Sequence, residues 1–524
     1  MAIKRIIQKK VKFPKEEFSV LKKAFPCILA WIRDYAEYIP LEPDMFDIVI
    51  IDEASQVSIA QAFPALLRAK KLLVLWDKKQ FSNVKTSLAS IKENGEYLNK
   101  IRESFMENVS ENQIYIEKSE MFDIKNSILD FVERICNYEV MLKKYFRWYK
   151  EIISYSNKFF YGNDLQVMKI RWKHIDEVLR FEFIEADGSK DTKPNTNSGE
   201  IEFIISELTK LKESWIKKSV GIITPHTNQQ KALSEAINKV PESNYFYEKL
   251  DLKIMTFDSC QWEERDIVYY SMVATKDDDR LRWVFIKDLN EIDNEEEGKL
   301  KAQRLNVWFS RPKETMVFVL SKPINDFNWE IRKTLEHYRE EKEKCIKNGD
   351  FSDDVDFKNN KILQILSNTD FYKENSKNIK ILSNFQLWDY IKQLDPYYEH
   401  PKYKFDFLLV YTNDKWKDTK IFFEYDDFEN NVDSIENKNS DNYLSESDVF
   451  KEKSMEAYWY KFLRVNDFSL WEYPERTLNS KLEELTGIKS HVLRYWEDVV
   501  PGFSPQKDLT GRRVYSQREV DLIL

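Results

Sequence analysis

Glycine is scarce in this sequence, with 10 glycines among 524 residues, whereas tryptophan occurs 14 times. Globular proteins ordinarily contain about 7% glycine, so this chain has roughly a quarter of the usual share. Glycine normally stands where the backbone adopts a positive φ or where a neighbour leaves no room for a Cβ atom. The shortage therefore indicates that other residue types stand at many such positions of this chain.

Paired cysteines and long apolar runs are also missing. The four cysteines lack CxxC spacing, which argues against a disulfide framework and against a structural zinc site. No apolar run approaches the roughly 18 residues of a membrane span, and the basic residues 1–12 lack the apolar core of a signal peptide. We therefore expect a cytoplasmic protein without membrane contact. The net charge of -9 does not exclude a nucleic-acid partner, because a local basic groove sets phosphate affinity.

Short apolar segments alternate with longer helical patterns between residue 46 and about residue 325, which predicts an α/β fold with a mainly parallel sheet. A further α/β pattern covers residues 378–475. The predicted strands of the first region are 46–52, 72–75, 219–224, 252–257, 266–274 and 315–321.

The segment IVIIDEASQ, residues 48–56, places two carboxylates directly after a hydrophobic strand. In nucleotide hydrolases such a pair divides the work: Asp52 would hold a magnesium ion and Glu53 would polarise the attacking water. The alternative is that both residues only form the acidic start of the next helix. Other motifs in the chain favour the catalytic interpretation.

Six segments of the chain resemble, in the same order, the motifs of superfamily 1 helicases of the DEAxQ branch. They are IVIIDEASQ (48–56), VLWDKKQF (74–81), YFRWYKEIISYSNKFFYG (145–162), GIITPHTNQQ (221–230), MTFDSCQWEERDIVYYS (255–271) and QRLNVWFSRPKE (303–314). The residues that match the motifs after the first are Asp77, Gln80, Arg147, Thr256, Asp258, Gln261, Glu264, Asp266, Arg304 and Arg311.

The resemblance implies two RecA-like lobes that bind ATP and Mg²⁺ between them, with carboxylates on one lobe and arginines on the other. The candidate catalytic residues are Glu53, Gln80, Arg304 and Arg311. The candidate nucleotide contacts are Arg147, Gln261 and Glu264, and the candidate ligand of the metal is Asp52. DNA or RNA is the expected polymer.

The phosphate-binding loop of such enzymes is not in the sequence. No GxxxxGK[ST] occurs, and EEGKLKAQ, residues 296–303, has neither further glycines nor a preceding strand. In the helicase family that the chain resembles, this loop lies upstream of the DEAxQ motif, and only 51 residues precede Asp52. We therefore expect the C-terminal part of a helicase with an incomplete first lobe. By itself this part would not hydrolyse ATP, and a separate upstream chain is the candidate source of the loop.

Three tryptophans stand where the helicase motifs carry glycine or another small residue: Trp76, Trp262 and Trp308. Thirteen of the 14 tryptophans precede residue 485, a stretch that contains only seven glycines. One hypothesis is that these codons are UGA, written as tryptophan but decoded as glycine in the organism. The alternative is a degenerate, inactive helicase that tolerates indoles. Trp496, in the C-terminal segment 481–524 described below, is the one tryptophan that matches the family pattern of its segment.

Residues 400–431 predict two neighbouring strands that carry carboxylates and resemble the PD-(D/E)xK nuclease fold. The resemblance implies a divalent metal that activates water for phosphodiester attack. Its candidate ligands are Asp406, Glu424 and Asp426. Because Asp426 replaces the usual catalytic lysine, Lys451 or Lys453 from the next helix is the candidate replacement.

Residues 481–524 closely resemble the winged helix-turn-helix of MerR-type regulators, with Gly487 at the turn, a recognition helix at 490–497 and a wing at 511–515. The candidate DNA contacts are Arg494, Tyr495, Arg512, Arg513 and Tyr515. Two functions therefore stay open: a helicase-type ATPase with a nuclease-like region, or a non-catalytic DNA-binding protein such as a MerR-type regulator.

These patterns together predict an α/β protein with RecA-like lobes, a small nuclease-like domain and a C-terminal winged helix-turn-helix. The predicted domains are an incomplete first RecA-like lobe (1–98), a helical insertion with the motif segment around Arg147 (99–198), a second RecA-like lobe (199–325), a helix and linker (326–377), a nuclease-like domain (378–478) and the winged helix-turn-helix (479–524).

Overall fold

The structure is a computed structural model. It describes residues 12–77, 79, 91–108, 119–123, 126–185, 191, 193–274, 281, 284–289, 296–347, 357, 360–387, 404–413, 417–426, 446–457, 460–467, 469–470, 473–487, 506–507 and 513–514. Within these residues, no helix has both the length and the apolar character that crossing a membrane requires.

The first sheet consists of two short parallel strands, β1 (Val49–Ile51) and β2 (Leu72–Val74). The helices of this region are α1 (Lys15–Ala24), α2 (Ile32–Tyr38), α3 (Ile59–Leu66), α4 (Ile91–Asn108) and α5 (Ile128–Glu133). A capping box starts α3, since Ser58 Oγ accepts from the Gln61 backbone and the Gln61 side chain accepts from the Ser58 backbone. Apolar residues of α3 and α5 cover one face of the two strands.

Two further short strands, β3 (Lys144–Tyr145) and β4 (Gln166–Val167), pair in parallel around helix α6 (Lys150–Phe160). Helix α6 buries Ile152, Ile153 and Tyr155 in the largest apolar core of the protein. This arrangement holds the segment before α6 and the segment after it against the main sheet.

The main sheet has five strands, all parallel, in the order β5-β9-β8-β6-β7. Its strands are β5 (Leu179–Phe183), β6 (Val220–Thr224), β7 (Lys253–Thr256), β8 (Arg265–Ser271) and β9 (Pro312–Leu320). The surrounding helices are α7 (Ile175–Val178), α8 (Ser198–Glu213), α9 (Thr227–Asn238), α10 (Ser243–Lys249), α11 (Glu296–Phe309) and α12 (Trp329–Lys347). Separate apolar cores lie on the two faces of this sheet, as a parallel sheet requires.

The predicted α/β fold with a parallel sheet is confirmed, and four of the predicted strands form its centre and one edge. Strand β5 at the other edge was not predicted. Its sequence LRFEF alternates apolar and charged residues, and only Leu179 is fully buried, so it lacks the continuous apolar run of a central parallel strand.

A second sheet of four strands follows in the order β10-β11-β12-β13, antiparallel except for the parallel pair β12–β13. Its strands are β10 (Ile379–Gln386), β11 (Lys404–Thr412), β12 (Asp418–Asp426) and β13 (Lys461–Asn466). The accompanying helices are α13 (Lys361–Asn368), α14 (Asp370–Asn375), α15 (Glu446–Ala457) and α16 (Pro474–Thr486). Trp172 donates from Nε1 to Asp418 at 3.1 Å, which joins this sheet to the segment after β4.

At the C-terminal end, α16 stops at Gly487, whose φ of 76° places it in the left-handed region that glycine tolerates. This agrees with a turn at that position. Two short strands follow, β14 (Gln506–Lys507) and β15 (Arg513–Val514), which pair antiparallel. The recognition-helix residues 490–497, together with Arg512 and Tyr515, lie outside the described residues, and Arg513 is described only as part of β15.

Candidate functional site

Two carboxylates directly follow β1, at the edge of the first sheet. Asp52 is exposed, and its side chain accepts a hydrogen bond from the Glu53 backbone at 3.0 Å. Glu53 is half-buried and has a positive φ of 54°. Its pKa is raised to about 7, chiefly by burial and then by the negative charges of Asp52 and Asp77. Three carboxylates therefore share one small region.

Two arginines act electrostatically on the same carboxylate. The positive charges of Arg311 and Arg147 lower the pKa of Glu53, against the effect of burial. Arg311 follows α11 and Arg147 precedes α6, so both belong to the part of the chain built around the main sheet. The fold therefore brings arginines from that part within electrostatic reach of the carboxylates after β1.

Arg311 is held rigidly in a buried position. Only 4% of its surface is exposed. Its Nε donates to the Val307 carbonyl at 2.7 Å, and its Nη2 donates to Ser310 Oγ at 2.9 Å. Its charge also opposes the effect of burial on the thiol of Cys260, whose pKa is raised to about 12. The guanidinium is thus positioned by the end of its own helix.

Arg147 lines an open cavity of about 630 Å³ together with Trp262, Glu264, Arg265 and Lys313. Arg147 Nη1 lies 2.6 Å from Glu264 Oε1, and Lys313 lies 4.0 Å from the other carboxylate oxygen. The lining therefore carries three cations and one carboxylate. This charge balance favours an anionic ligand.

A chain of hydrogen bonds joins the end of β2 to helices α6 and α11. Tyr161 donates from its hydroxyl to Asp77 Oδ2 at 2.6 Å. Asn306 donates from Nδ2 to the Lys79 carbonyl at 2.7 Å and to the Tyr161 hydroxyl at 3.2 Å. Burial and the neighbouring carboxylate of Asp77 raise the pKa of Tyr161 well above its usual range. Asp77 is thereby fixed against the part that carries Arg311.

Tyr161 and Asn306 were not predicted as site residues, although both lie inside segments that resemble helicase motifs. Neither carries a charge, and neutral polar residues give no signal of their own in a single sequence. Lys313, also unassigned from the sequence, borders the cavity beside Glu264.

The other expected site residues are placed in different ways. Arg304 pairs with the exposed Asp258 through Nη2 at 3.0 Å, and Asp266 accepts from the Ser219 backbone at 2.9 Å, which ties β8 to the start of β6. Gln261 buries an amide nitrogen that has no hydrogen-bond partner among the described residues. Gln80 lies outside the described residues. The structure therefore clusters Asp52, Glu53, Asp77, Arg147 and Arg311, whereas Arg304 engages a separate carboxylate.

The carboxyl ends of β8 and β9 contain a second polar cluster, built around Glu200 in the first turn of α8. Glu200 is completely buried and accepts from Ser271 Oγ at 2.7 Å, from Ser321 Oγ at 2.8 Å and from the Val273 backbone at 3.0 Å. Burial raises its pKa to about 7. These hydrogen bonds all join Glu200 to other residues of the protein, so the cluster fixes helix α8 to the ends of β8 and β9.

Comparison with known proteins finds two families whose models match parts of the chain. Residues 124–322 match the model of a family described as an AAA domain. This match, together with the helicase relatives described next, supports an AAA domain similar to those of superfamily 1 helicases in this part of the chain. Residues 480–524 match the model of the MerR HTH family of regulatory proteins. The resemblances inferred from the helicase motifs and from the C-terminal segment are confirmed, whereas the nuclease-like region stays a prediction.

The curated relatives that the chain resembles include an uncharacterized ATP-dependent helicase, MG140, of Mycoplasma genitalium, which is 27% identical over 49% of the chain. The uncharacterized ATP-dependent helicase MJ0104 of Methanocaldococcus jannaschii is 23% identical over 52%. The DNA replication ATP-dependent helicase/nuclease DNA2 of Gallus gallus is 22% identical over 52%. The chain spans 22%, 36% and 23% of the lengths of these three relatives.

A solved structure of the C-terminal domain of a possible DNA helicase from Lactobacillus matches 36% of the chain at 9% identity. Its TM-score of 0.20 is too low a likeness to support any conclusion.

Proposed function

We propose that the chain acts on nucleic acid as part of an ATP-driven superfamily 1 helicase. The observation that carries this proposal is the convergence of Glu53 with Arg147 and Arg311, which come from distant segments of the sequence. Carboxylates that face arginines across two parts of a fold are the arrangement that phosphoryl transfer requires, because charge spreads over the transferred phosphate in the transition state.

The donor chemistry after β1 fits Mg²⁺. Among the described residues, no group of three or more His, Cys, Asp or Glu side chains is arranged as a complete metal site. Magnesium in phosphoryl-transfer sites needs only one or two carboxylates, because substrate phosphates complete its shell. We propose that Asp52 holds the ion, which would neutralise phosphate charge when bound.

The raised pKa of Glu53 suits a group that takes a proton from water near neutral pH. Arg311 would neutralise charge on the terminal phosphate, since its guanidinium is already fixed by Val307 and Ser310. We further propose the cavity residues Arg147 and Glu264 as nucleotide contacts. Gln80, Gln261 and Arg304 remain proposals on the strength of the motif match.

The phosphate loop is the missing part of this machinery. The sequence contains no GxxxxGK[ST] segment, so the backbone amides and lysine that hold the β- and γ-phosphates must come from elsewhere. We propose that an upstream segment or chain supplies them. ATP hydrolysis then requires both parts.

The test is an ATPase assay of the chain alone and together with the upstream coding region of its locus, with and without single-stranded DNA or RNA. We expect turnover only with both parts, and we expect it to rise on adding single strands. Arg311→Ala should lower kcat by about 1,000-fold or more, since arginines of this type contribute that much. Arg311→Lys, which keeps the charge and is a smaller perturbation of the helix end, should also be strongly impaired.

Arg332→Ala is the matched control, because Arg332 pairs with Glu336 on the surface of α12 and is expected to leave turnover unchanged. Full stimulated turnover in a folded Arg311→Ala protein would contradict the proposal. Sequence-specific duplex binding without any turnover would instead favour a regulator led by the C-terminal segment.

A metal-dependent nuclease is the second candidate function, and one observation favours it. Strands β11, β12 and β13 with helix α15 gather four carboxylates around two cations. The carboxylates are Asp406, Glu424, Asp426 and Asp448, and the cations are Lys451 and Arg464. With all groups ionised, the cluster carries two uncompensated negative charges, which a divalent cation would balance. In this structure the described carboxylates are not arranged as a metal site, because Lys451 and Arg464 occupy the central one.

The cations of this cluster currently bind the central carboxylate. Glu424 is buried and pairs with Lys451, and it lies 2.5 Å from Arg464 Nη2. Burial, followed by the charge of Arg464, lowers the pKa of Lys451 to about 8. Lys451, one of the two lysines considered from the sequence, therefore contacts a candidate metal ligand.

Titration calorimetry with Mn²⁺ on the full chain tests this second function, followed by cleavage of single-stranded DNA. We expect Asp406→Asn to abolish binding of the metal and cleavage together, whereas Glu452→Gln on helix α15 leaves both unchanged. An unaltered Mn²⁺ isotherm in the folded Asp406→Asn protein would contradict it.

A further inference from the structure

Three tryptophans adopt a backbone conformation that bulky side chains avoid. Trp215, Trp262 and Trp329 have φ values of 53°, 76° and 59°. Positive φ is a genuine outlier for a bulky L-residue, whereas glycine adopts it without a steric penalty. The described glycines Gly162 and Gly487 have closely similar values of 59° and 76°.

Tryptophan is strongly over-represented at such positions. Nine non-glycine residues of the described part of the chain have positive φ. Four of them are Asp or Asn, types that tolerate this region: Asp44, Asn163, Asn195 and Asp251. Tryptophan accounts for three of the nine. With 14 tryptophans in 524 residues, fewer than one is expected among nine positions.

Trp215 occupies a helix-end position that glycine ordinarily fills. Helix α8 ends at Glu213, and Trp215 is the second residue after it. The Trp215 amide donates to the Lys212 carbonyl at 3.0 Å, and the Ile216 amide donates to the Leu211 carbonyl at 3.0 Å. This pair of bonds is the Schellman motif, whose left-handed residue is usually glycine.

The indole of Trp215 does not explain its presence there. The residue is 74% exposed, so burial of the ring contributes little stability that would offset an unfavourable backbone. Backbone hydrogen bonds therefore define this position, and they suit a residue without a Cβ atom.

The crowded packing around Trp308, which lies inside α11, independently indicates that a smaller residue suits that position. Its ring centroid is 3.2 Å from that of Phe257 at an interplanar angle of 46°, whereas aromatic pairs prefer separations of about 4.5 to 7 Å. Its buried indole nitrogen has no hydrogen-bond partner among the described residues. A smaller residue fits this position better. Trp76, in contrast, has no positive φ and packs partly buried against the core of the first sheet.

Trp262 connects these observations to the candidate site. It is 54% exposed and borders the cavity lined by Arg147, Glu264 and Lys313. A residue without a side chain at this position would widen the cavity and expose backbone next to its cations. The cavity would then admit a phosphate-bearing ligand closer to the arginine.

We propose that positions 215, 262 and 329 are glycine in the protein that the organism makes, because their codons are UGA decoded as glycine. Glycine at position 262 opens the cavity beside Arg147 to a phosphate-bearing ligand. The statement about the cavity rests on the proposed function, whereas the statement about the encoded residues does not.

The first test reads the codons of the gene at 215, 262 and 329 and sequences the matching peptides of the protein purified from its organism by mass spectrometry. The codon of Trp496, the one tryptophan that fits its segment, is the internal control. We expect UGA and glycine at the three positions and UGG and tryptophan at 496. UGG codons, or tryptophan in the native peptides, would overturn the proposal.

The second test compares Trp215→Gly and Trp215→Ala in a protein expressed with tryptophan at that position. We expect the Gly variant to have the higher melting temperature, because the Ala variant retains a Cβ atom in the left-handed region. Equal or lower stability of the Gly variant would refute the conformational reasoning, independently of any ligand.

The third test measures binding of ATP to Trp262→Gly and Trp262→Ala by calorimetry. We expect the Gly variant to bind at least tenfold more tightly than the chain with tryptophan, with the Ala variant between them. If Trp262→Gly is stabilised but its affinity for ATP is unchanged, the cavity statement is wrong and the assignment of glycine stands.

Discussion

Replacing Glu200 by glutamine should remove a specific part of the pH dependence of stability. Glu200 is completely buried, and its pKa rises from 4.5 to about 7 in the folded protein. At about 1.4 kcal/mol per pKa unit, this shift corresponds to about 3 kcal/mol. Because the folded pKa lies above the unfolded value, the contribution to stability is fully present below about pH 4.5 and is lost as pH rises to about 7.

Glutamine keeps a similar shape and an acceptor for Ser271 or Ser321 but does not ionise. We therefore expect the difference in free energy of unfolding between Glu200→Gln and the parent chain to rise by about 2 to 3 kcal/mol from pH 5 to pH 8. Taking this difference cancels the contributions of other titrating groups to the pH dependence of stability. One such group is His337, whose pKa is lowered to about 4 chiefly by burial and whose contribution has the opposite pH dependence.

Urea unfolding at half-unit pH intervals measures this difference. Glu202→Gln, on the exposed side of the same helix α8, is the matched control and should run parallel to the parent chain at every pH. If Glu200→Gln also runs parallel to the parent, Glu200 ionises at its ordinary pH and the reasoning from burial is wrong.

Two further predictions concern polar contacts of the same structure. Tyr161→Phe removes a hydrogen bond to the Asp77 carboxylate and should lower the free energy of unfolding by about 2 kcal/mol, with unchanged urea midpoints as the refuting result. Although burial alone would raise it, the pKa of Glu314 is lowered to about 2 by Lys173, Lys218 and Lys169. The contribution of Glu314 to the stability of the folded protein is therefore present above about pH 4.5 and is lost as pH falls towards 2. Glu314→Gln should therefore unfold more readily at pH 7 by about 3 kcal/mol and show a flatter acid transition by circular dichroism, whereas an unchanged acid midpoint would contradict this.

The lysines around Glu314 also illustrate how the two sheets are connected. Glu314 lies in β9 and pairs with Lys173 and Lys218. Lys420 of β12 donates to the Ile170 carbonyl at 3.1 Å, and burial lowers its pKa to about 8. Segment 169–173 thus contacts both sheets, so changes in the four-stranded sheet are structurally linked to the edge of the main sheet.

Several features of the protein follow from local sequence. The central strands β6, β8 and β9 each contain a continuous apolar run, and a run of this kind is stable only when both faces are covered, so the parallel α/β sheet was predictable. The position of Asp52 and Glu53 directly after β1 was equally clear, because it depends on adjacent residues alone. The shortage of glycine also indicated that tryptophans stand at positions where the helicase motifs carry glycine or another small residue.

Other features depended on contacts between residues far apart in the chain. The edge strand β5, with its alternating charges, forms because β9 lies beside it. The link from Asp77 through Tyr161 to Asn306 joins three segments, and no short window of sequence contains it. The positive φ of Trp215 follows from how helix α8 ends.

The sequence by itself therefore determined which chemical groups the protein carries and which segments form the central strands, because strand patterns and motif spacing are local properties. Only the tertiary structure decided that Arg147 and Arg311 act on Glu53 while Arg304 pairs with Asp258. It also decided which tryptophans have the positive φ that favours glycine. Both outcomes depend on backbone torsions and on distances between remote segments, which a linear pattern does not contain.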